Sequence, residues 1–125
     1  MNRTNPILVV EDDPLALEAL TDVLETTGYS VIGASDGREG LERVYTSDPA
    51  PFVILLDLGL PVIDGWEFLR RQKNDAKIAH IPVIIVTATP PPRVPEAAAV
   101  LKKPVKVDQL INLLAQYRCR ATAEN

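Results

Sequence analysis

Ile7-Leu8-Val9-Val10-Glu11-Asp12-Asp13-Pro14 is the stretch on which the fold turns. An unbroken run of apolar, mostly branched residues is expected of a strand buried on both faces of a parallel sheet, because a half-exposed strand would alternate. The run stops abruptly at three carboxylates. Pro14 then suits the first turn of a helix, where its missing amide leaves no intrahelical bond unmade. Ala16, Leu17, Leu20, Val23 and Leu24 recur at helical spacing until Gly28 ends the pattern. The chain therefore opens with a strand, a tight acidic turn and a helix.

Outward from this unit the pattern repeats. Residues 29–34 read as a second strand, followed by a helix carrying Gly40, Leu41, Val44 and Tyr45. Residues 52–56 read as a third strand with a helix over 66–73, and 83–86 as a fourth strand. Val100 and Leu101 make a short fifth, and an amphipathic helix over 107–117, with Leu110, Ile111, Leu113 and Leu114, closes the series. Parallel strands need crossover connections, so strands alternating with helices predict an α/β doubly wound, five-stranded parallel sheet with helices on both faces. One stretch breaks the rhythm: Pro90, Pro91, Pro92 and Pro95 lie where the fourth crossover helix belongs. Proline lacks the amide donor and clashes with the preceding turn, so an extended or polyproline-like connection is expected there, with at most a turn over 96–99.

The 125 residues suit a single domain over 1–125, with a core of about 5–117 and a tail over 118–125. With 46% hydrophobic and 24% charged residues the composition is that of an ordinary globular protein. A net charge of -4, with basic residues scattered as Arg70-Arg71, Lys102-Lys103 and Arg118 with Arg120, argues against a nucleic-acid surface, which needs clustered cations. No apolar run is long enough to span a bilayer, and no basic segment followed by an apolar core opens the chain, so a cytoplasmic location is expected. Cys119, the single cysteine, excludes an internal disulfide and reads as incidental.

In open α/β sheets, ligands sit beyond the carboxyl ends of the strands. Glu11 and Asp12 follow the first strand, Asp57 ends the third, Thr87 the fourth and Lys103 the fifth, so all can meet at one rim. These signals, in this order, resemble the receiver domain of the response-regulator family over essentially residues 5 to 117. The acidic pair resembles Glu11-Asp12, and the phospho-accepting segment resembles Asp57-Leu58-Gly59-Leu60-Pro61-Val62-Ile63-Asp64-Gly65. The switch hydroxyl with its small neighbour resembles Thr87-Ala88, and the lysine-proline pair resembles Lys103-Pro104. The resemblance implies a flavodoxin-like strand order 2-1-3-4-5 and a phosphoryl group received on Asp57 from a sensor histidine kinase or a histidine phosphotransfer protein. It further implies Mg²⁺ held directly by Asp12, Asp57 and the carbonyl of Gly59, with Glu11 acting largely through water, a cis peptide before Pro104, and a downstream protein target.

The side chains support the same roles on their own chemistry. Asp57 is a candidate nucleophile toward phosphorus, forming an acyl phosphate. Clustered carboxylates repel one another and an incoming dianion, so a hard divalent cation with oxygen ligands is needed, and Mg²⁺ fits. Lys103 would set its ammonium against phosphoryl oxygens. Thr87 would donate its hydroxyl to another of them, drawing in the loop after strand four as a switch rather than a catalyst. The whole is expected to be a signalling receiver that assists its own phosphorylation and dephosphorylation, not an enzyme in the ordinary sense.

Departures from the family bear on output. The spacing from Thr87 to Lys103 is shorter than in relatives by roughly one and a half helical turns, and Val100 stands where many relatives carry a switch aromatic. The 88–97 loop is therefore expected to carry the output, ordered through Thr87 and read by partners. Gly59 offers no side chain to shield the acyl phosphate, so no unusually long-lived phosphoform is expected; Thr89 holds the other position that the family uses to regulate hydrolysis. Asp13 and Asp64 read as turn residues, His80 as an exposed loop residue and Trp66 as packed. The alternatives are a receiver-like constitutive adaptor that is never phosphorylated, and a phosphohydrolase or flavin protein of similar topology. An aspartate-based phosphatase would want an acidic residue where Gly59 stands, and a flavin protein a phosphate loop where Glu11-Asp12-Asp13 stands.

Overall fold

The computed structural model describes residues 5–123. Readings of Cys119 and Arg120 concern side chains outside those described. In chain order the elements are β1 (Ile7–Val10), α1 (Pro14–Thr26), β2 (Val31–Ala34), α2 (Gly37–Thr46), β3 (Val53–Leu56), α3 (Gly65–Lys73), β4 (Val83–Thr87), β5 (Ala99–Lys102) and α4 (Val107–Ala123). All neighbouring strands pair in parallel, in the order β2-β1-β3-β4-β5. This is the doubly wound, flavodoxin-like sheet expected, with strand order reversing between β1 and β3.

The strands carry apolar residues on both faces because both are covered. Leu8, Val10, Ile54, Leu56, Val83 and Ile85 join Phe68 and Leu69 of α3 in one core layer. Ile7, Val9, Val53, Leu55, Ile84 and Val86 join Leu24 of α1 and Leu110 and Leu114 of α4 in the other. The starts of α1, α2 and α3 are each capped by an aspartate: Asp13 accepts from the Leu15 amide, Asp36 from Glu39 and Asp64 from Glu67. Asp13 and Asp64 thus serve the turns that their sequence positions indicate.

Boundaries differ from expectation by more than one residue at two places. Tyr29 does not open β2, because its amide donates back to the Leu24 carbonyl at 3.0 Å and completes the end of α1, with Gly28 at φ +107 making the turn. At the other end, α4 continues past Tyr117 to Ala123 instead of giving way to a tail. Nothing in 118–123 breaks a helix. Arg118 also anchors its own turn by setting its guanidinium 5.5 and 5.3 Å from the ring centres of Tyr29 and Phe52.

Among the described residues no helix lies between β4 and β5. The connection instead drops one side chain, Val94, into the α3-side core, where it is buried, and ties its base by the Ala98 amide donating to the Val83 carbonyl at 2.8 Å. Pro90, Pro92, Arg93 and Pro95 stay exposed.

Candidate phosphorylation site

The site is built from strand ends. Glu11 follows β1, Asp57 follows β3, Thr87 closes β4, and Lys103 follows β5, with the Lys103 amide bonded to the Thr87 carbonyl at 2.9 Å. Parallel register puts these ends on one rim, so residues 46 and 92 positions apart in sequence come into contact. Lys103 Nζ donates to Glu11 Oε1 at 2.7 Å and to Asp57 Oδ2 at 3.1 Å. Burial on its own would lower the Lys103 ammonium, but the hydrogen bonds and charges of Glu11 and Asp57 outweigh it and hold the pKa above the ordinary lysine value. The peptide between Lys103 and Pro104 is cis.

Glu11 is buried, and its second oxygen accepts from the Asp13 amide at 3.1 Å. Asp57 accepts from the Gly59 amide at 3.1 Å, a short turn that fixes its carboxylate. One oxygen from each of Glu11, Asp12 and Asp57 lies within 4.8 Å of the others. Three carboxylates so close repel, and the single lysine offsets part of that charge.

Above this floor a cleft of about 440 Å³ opens, lined by Asp57, Gly59, Thr87, Thr89 and Lys103, with Trp66 and Pro91. Thr87 is buried at its base. Gly59 is exposed at its edge, and a side chain there would meet nothing within 4 Å. Gly65 packs so closely that an added Cβ would lie 2.5 Å from the Leu58 Cα and 2.6 Å from the Asp57 carbonyl oxygen. Only glycine allows α3 to start this near Asp57.

Trp66 corrects its sequence reading. It is 47% exposed, not packed. The buried residues of α3 are Gly65, Phe68, Leu69 and Gln72, spaced as one helical stripe, and position 66 falls off that stripe. The spacing alone could have revealed this. His80, by contrast, is exposed as expected.

Comparison with known proteins agrees with this geometry. The family model described as the response regulator receiver domain matches residues 7–115. The polar-differentiation response regulator DivK of Brucella ovis is 32% identical over 120 residues, covering 91% of this chain and 96% of that protein. The solved chemotaxis protein CheY4 of Vibrio cholerae superposes with a TM-score of 0.82 at 26% identity, covering 92% of this chain and 99% of that one. A CheY-like receiver domain protein from Methanospirillum hungatei shares the fold, with a TM-score of 0.84 at 24% identity and coverage of 98% and 100%. The chain belongs to the response regulator receiver domain family. It is a receiver domain of two-component signalling, similar to DivK over nearly the whole of both chains.

Proposed function

We propose that this receiver accepts a phosphoryl group on Asp57 from a phosphohistidine, carried by a sensor histidine kinase or a histidine phosphotransfer protein, and thereby changes its protein contacts. The observation that carries the reading is the bridging of Asp57 and Glu11 by Lys103 within a group of three carboxylates. An Asp57 oxygen attacks phosphorus, the phosphorus–nitrogen bond breaks, and the imidazole leaves with the electron pair and takes up a proton. Lys103 offsets charge on the phosphoryl oxygens, and Thr87 donates its hydroxyl to one of them. The donor set is all oxygen and anionic, which fits Mg²⁺ rather than a metal wanting thiolate or imidazole. Asp12, Asp57 and the Gly59 carbonyl would hold the cation, with Glu11 behind water. Bound there, it supplies Lewis-acid charge stabilisation.

Docking of partners is supported by exposed apolar side chains at the rim: Leu15 at the start of α1, Val62 and Trp66 around the start of α3, and Val107 at the start of α4. The 88–97 connection is the second contact surface in this reading, ordered through Thr87 and offered to a downstream protein target. A cytoplasmic setting, where phosphohistidine proteins would meet it, belongs to the same reading, as does the role of switch rather than enzyme. Among the described residues no helix is long and apolar enough to cross a membrane.

The test is intact-mass measurement after incubation with Mg²⁺ and acetyl phosphate, wild type beside Asp57→Asn. Gain of one phosphoryl group by wild type alone is expected. No gain under conditions that label another receiver would leave the constitutive adaptor as the better reading.

A further inference from the structure

Trp66 has no part in the chemistry above, yet it lines the same cleft as Asp57, Thr87 and Lys103. Leaving a large indole half in solvent forgoes much of what its burial would contribute. Its position is nevertheless held firmly. The Gly65 amide donates to the Leu58 carbonyl at 2.9 Å, Asp64 caps the helix, and the close packing of Gly65 on Asp57 and Leu58 sets the next residue relative to the acceptor. Pro91, partly buried in the connection after β4, lines the cleft as well. Gly59 leaves the rim open beside Asp57.

The direction of attack gives these walls a consequence. Displacement at phosphorus runs in line, so water that hydrolyses an acyl phosphate on Asp57 must come from the side opposite the Asp57 oxygen. That side is the cleft that opens over Asp57, with Trp66 and Pro91 in its walls. In the step a water oxygen bonds to phosphorus, the bond from phosphorus to the Asp57 oxygen breaks with the electron pair returning to the carboxylate, and the water proton passes to solvent. Thr89 brings a hydroxyl to that side, whereas the indole of Trp66 and the pyrrolidine of Pro91 offer such a water no acceptor to hold or aim it.

Resting on the reading of Asp57 as phospho-acceptor, we propose that Trp66 and Pro91 form an apolar mouth over the acyl phosphate and slow its hydrolysis, a screening that Gly59 cannot provide. Trp66 is a positioning residue here, acting on the approach of water. The experiment labels the protein with acetyl phosphate and Mg²⁺, removes the donor, and follows loss of the phosphoryl group by intact mass. Decay is expected to be about three- to tenfold faster in Trp66→Ala and to a smaller degree in Pro91→Ala, while Trp66→Phe stays near wild type. Trp66→Gln keeps much of the bulk but can hold a water, so it should decay as fast as the alanine variant; it also stands in should alanine fail to fold. Wild-type decay in both Trp66→Ala and Trp66→Gln would overturn the mouth while leaving Asp57 as acceptor. A wild type that takes no phosphoryl group at all overturns the acceptor reading itself, and the mouth with it.

Discussion

Helix α3 and the connection from β4 to β5 cover the same face of the sheet, one by regular structure and the other without it. In α3 the backbone satisfies itself, so Phe68 and Leu69 can be buried together, and Gln72 is buried too because its side-chain amide donates to the Ile78 and Ile81 carbonyls at 2.6 and 3.1 Å. The connection contains Pro90, Pro91 and Pro92, which have no amides to donate, and it buries Val94 while its neighbours face solvent. A segment that cannot bond its own backbone must stay wet, and one apolar side chain then has to hold it down. The cleft over Asp57 thus has one wall set by a regular helix packed on Asp57 and Leu58, and another held by Val94 and by the Ala98–Val83 hydrogen bond at its base.

Substitution can break this contrast. Phe68→Ala should cost about 3–5 kcal/mol in denaturant unfolding, whereas Val94→Ala, which removes less apolar volume, should cost about 1–2 kcal/mol. Equal losses would mean that the connection is as much a part of the cooperative core as α3. Gly65→Ala falls between them at about 1–3 kcal/mol, because backbone must move to admit the new carbon. It should also slow labelling by acetyl phosphate, since the atoms displaced belong to Asp57 and Leu58; labelling at the wild-type rate would show that the start of α3 is not what places Asp57.

Amide exchange sharpens the comparison without mutation. Residues 69–73 of α3 should be protected, while Thr89 and Arg93 exchange freely and slow down only when a phosphoryl mimic with Mg²⁺ occupies the site. Identical exchange with and without the mimic would remove the connection from the switch. The smallest effect is set by pH. Hydrogen bonds from Arg70 and Arg71 hold Glu67 at about 2, below its ordinary value of 4.5. A lowered carboxylate stabilises the fold above its unfolded pKa, and the contribution is lost as pH falls from about 4.5 toward 2. Glu67 is exposed, so the difference between wild type and Glu67→Gln in acid should be slight and should vanish in high salt.

The carboxylates, the threonine and the lysine could be read from the sequence because each ends an apolar run, and a parallel sheet brings run ends to one rim. The missing fourth crossover helix was equally plain, since proline states its own constraint. What escaped were features decided between elements. Val94 is an ordinary valine until the fold brings it into one core with Leu56 and Ile85. Tyr29 looks like a strand residue until the end of α1 claims its amide. Trp66 was misread because a tryptophan suggests burial, although its offset from Phe68 and Leu69 already turned it away from the core. Gly65 stood in the sequence only as the last residue of the Asp57–Gly65 segment, and its nearness to Asp57 needed coordinates.

Trp66 is also the only tryptophan in the chain. Its emission therefore comes from one indole at the lip of the cleft that holds Asp57, with no second fluorophore of its kind to dilute the signal. Cation binding, phosphorylation or the seating of a partner on this rim should each change its intensity or wavelength. The unmodified protein thus carries its own optical probe, placed where the signalling event would occur.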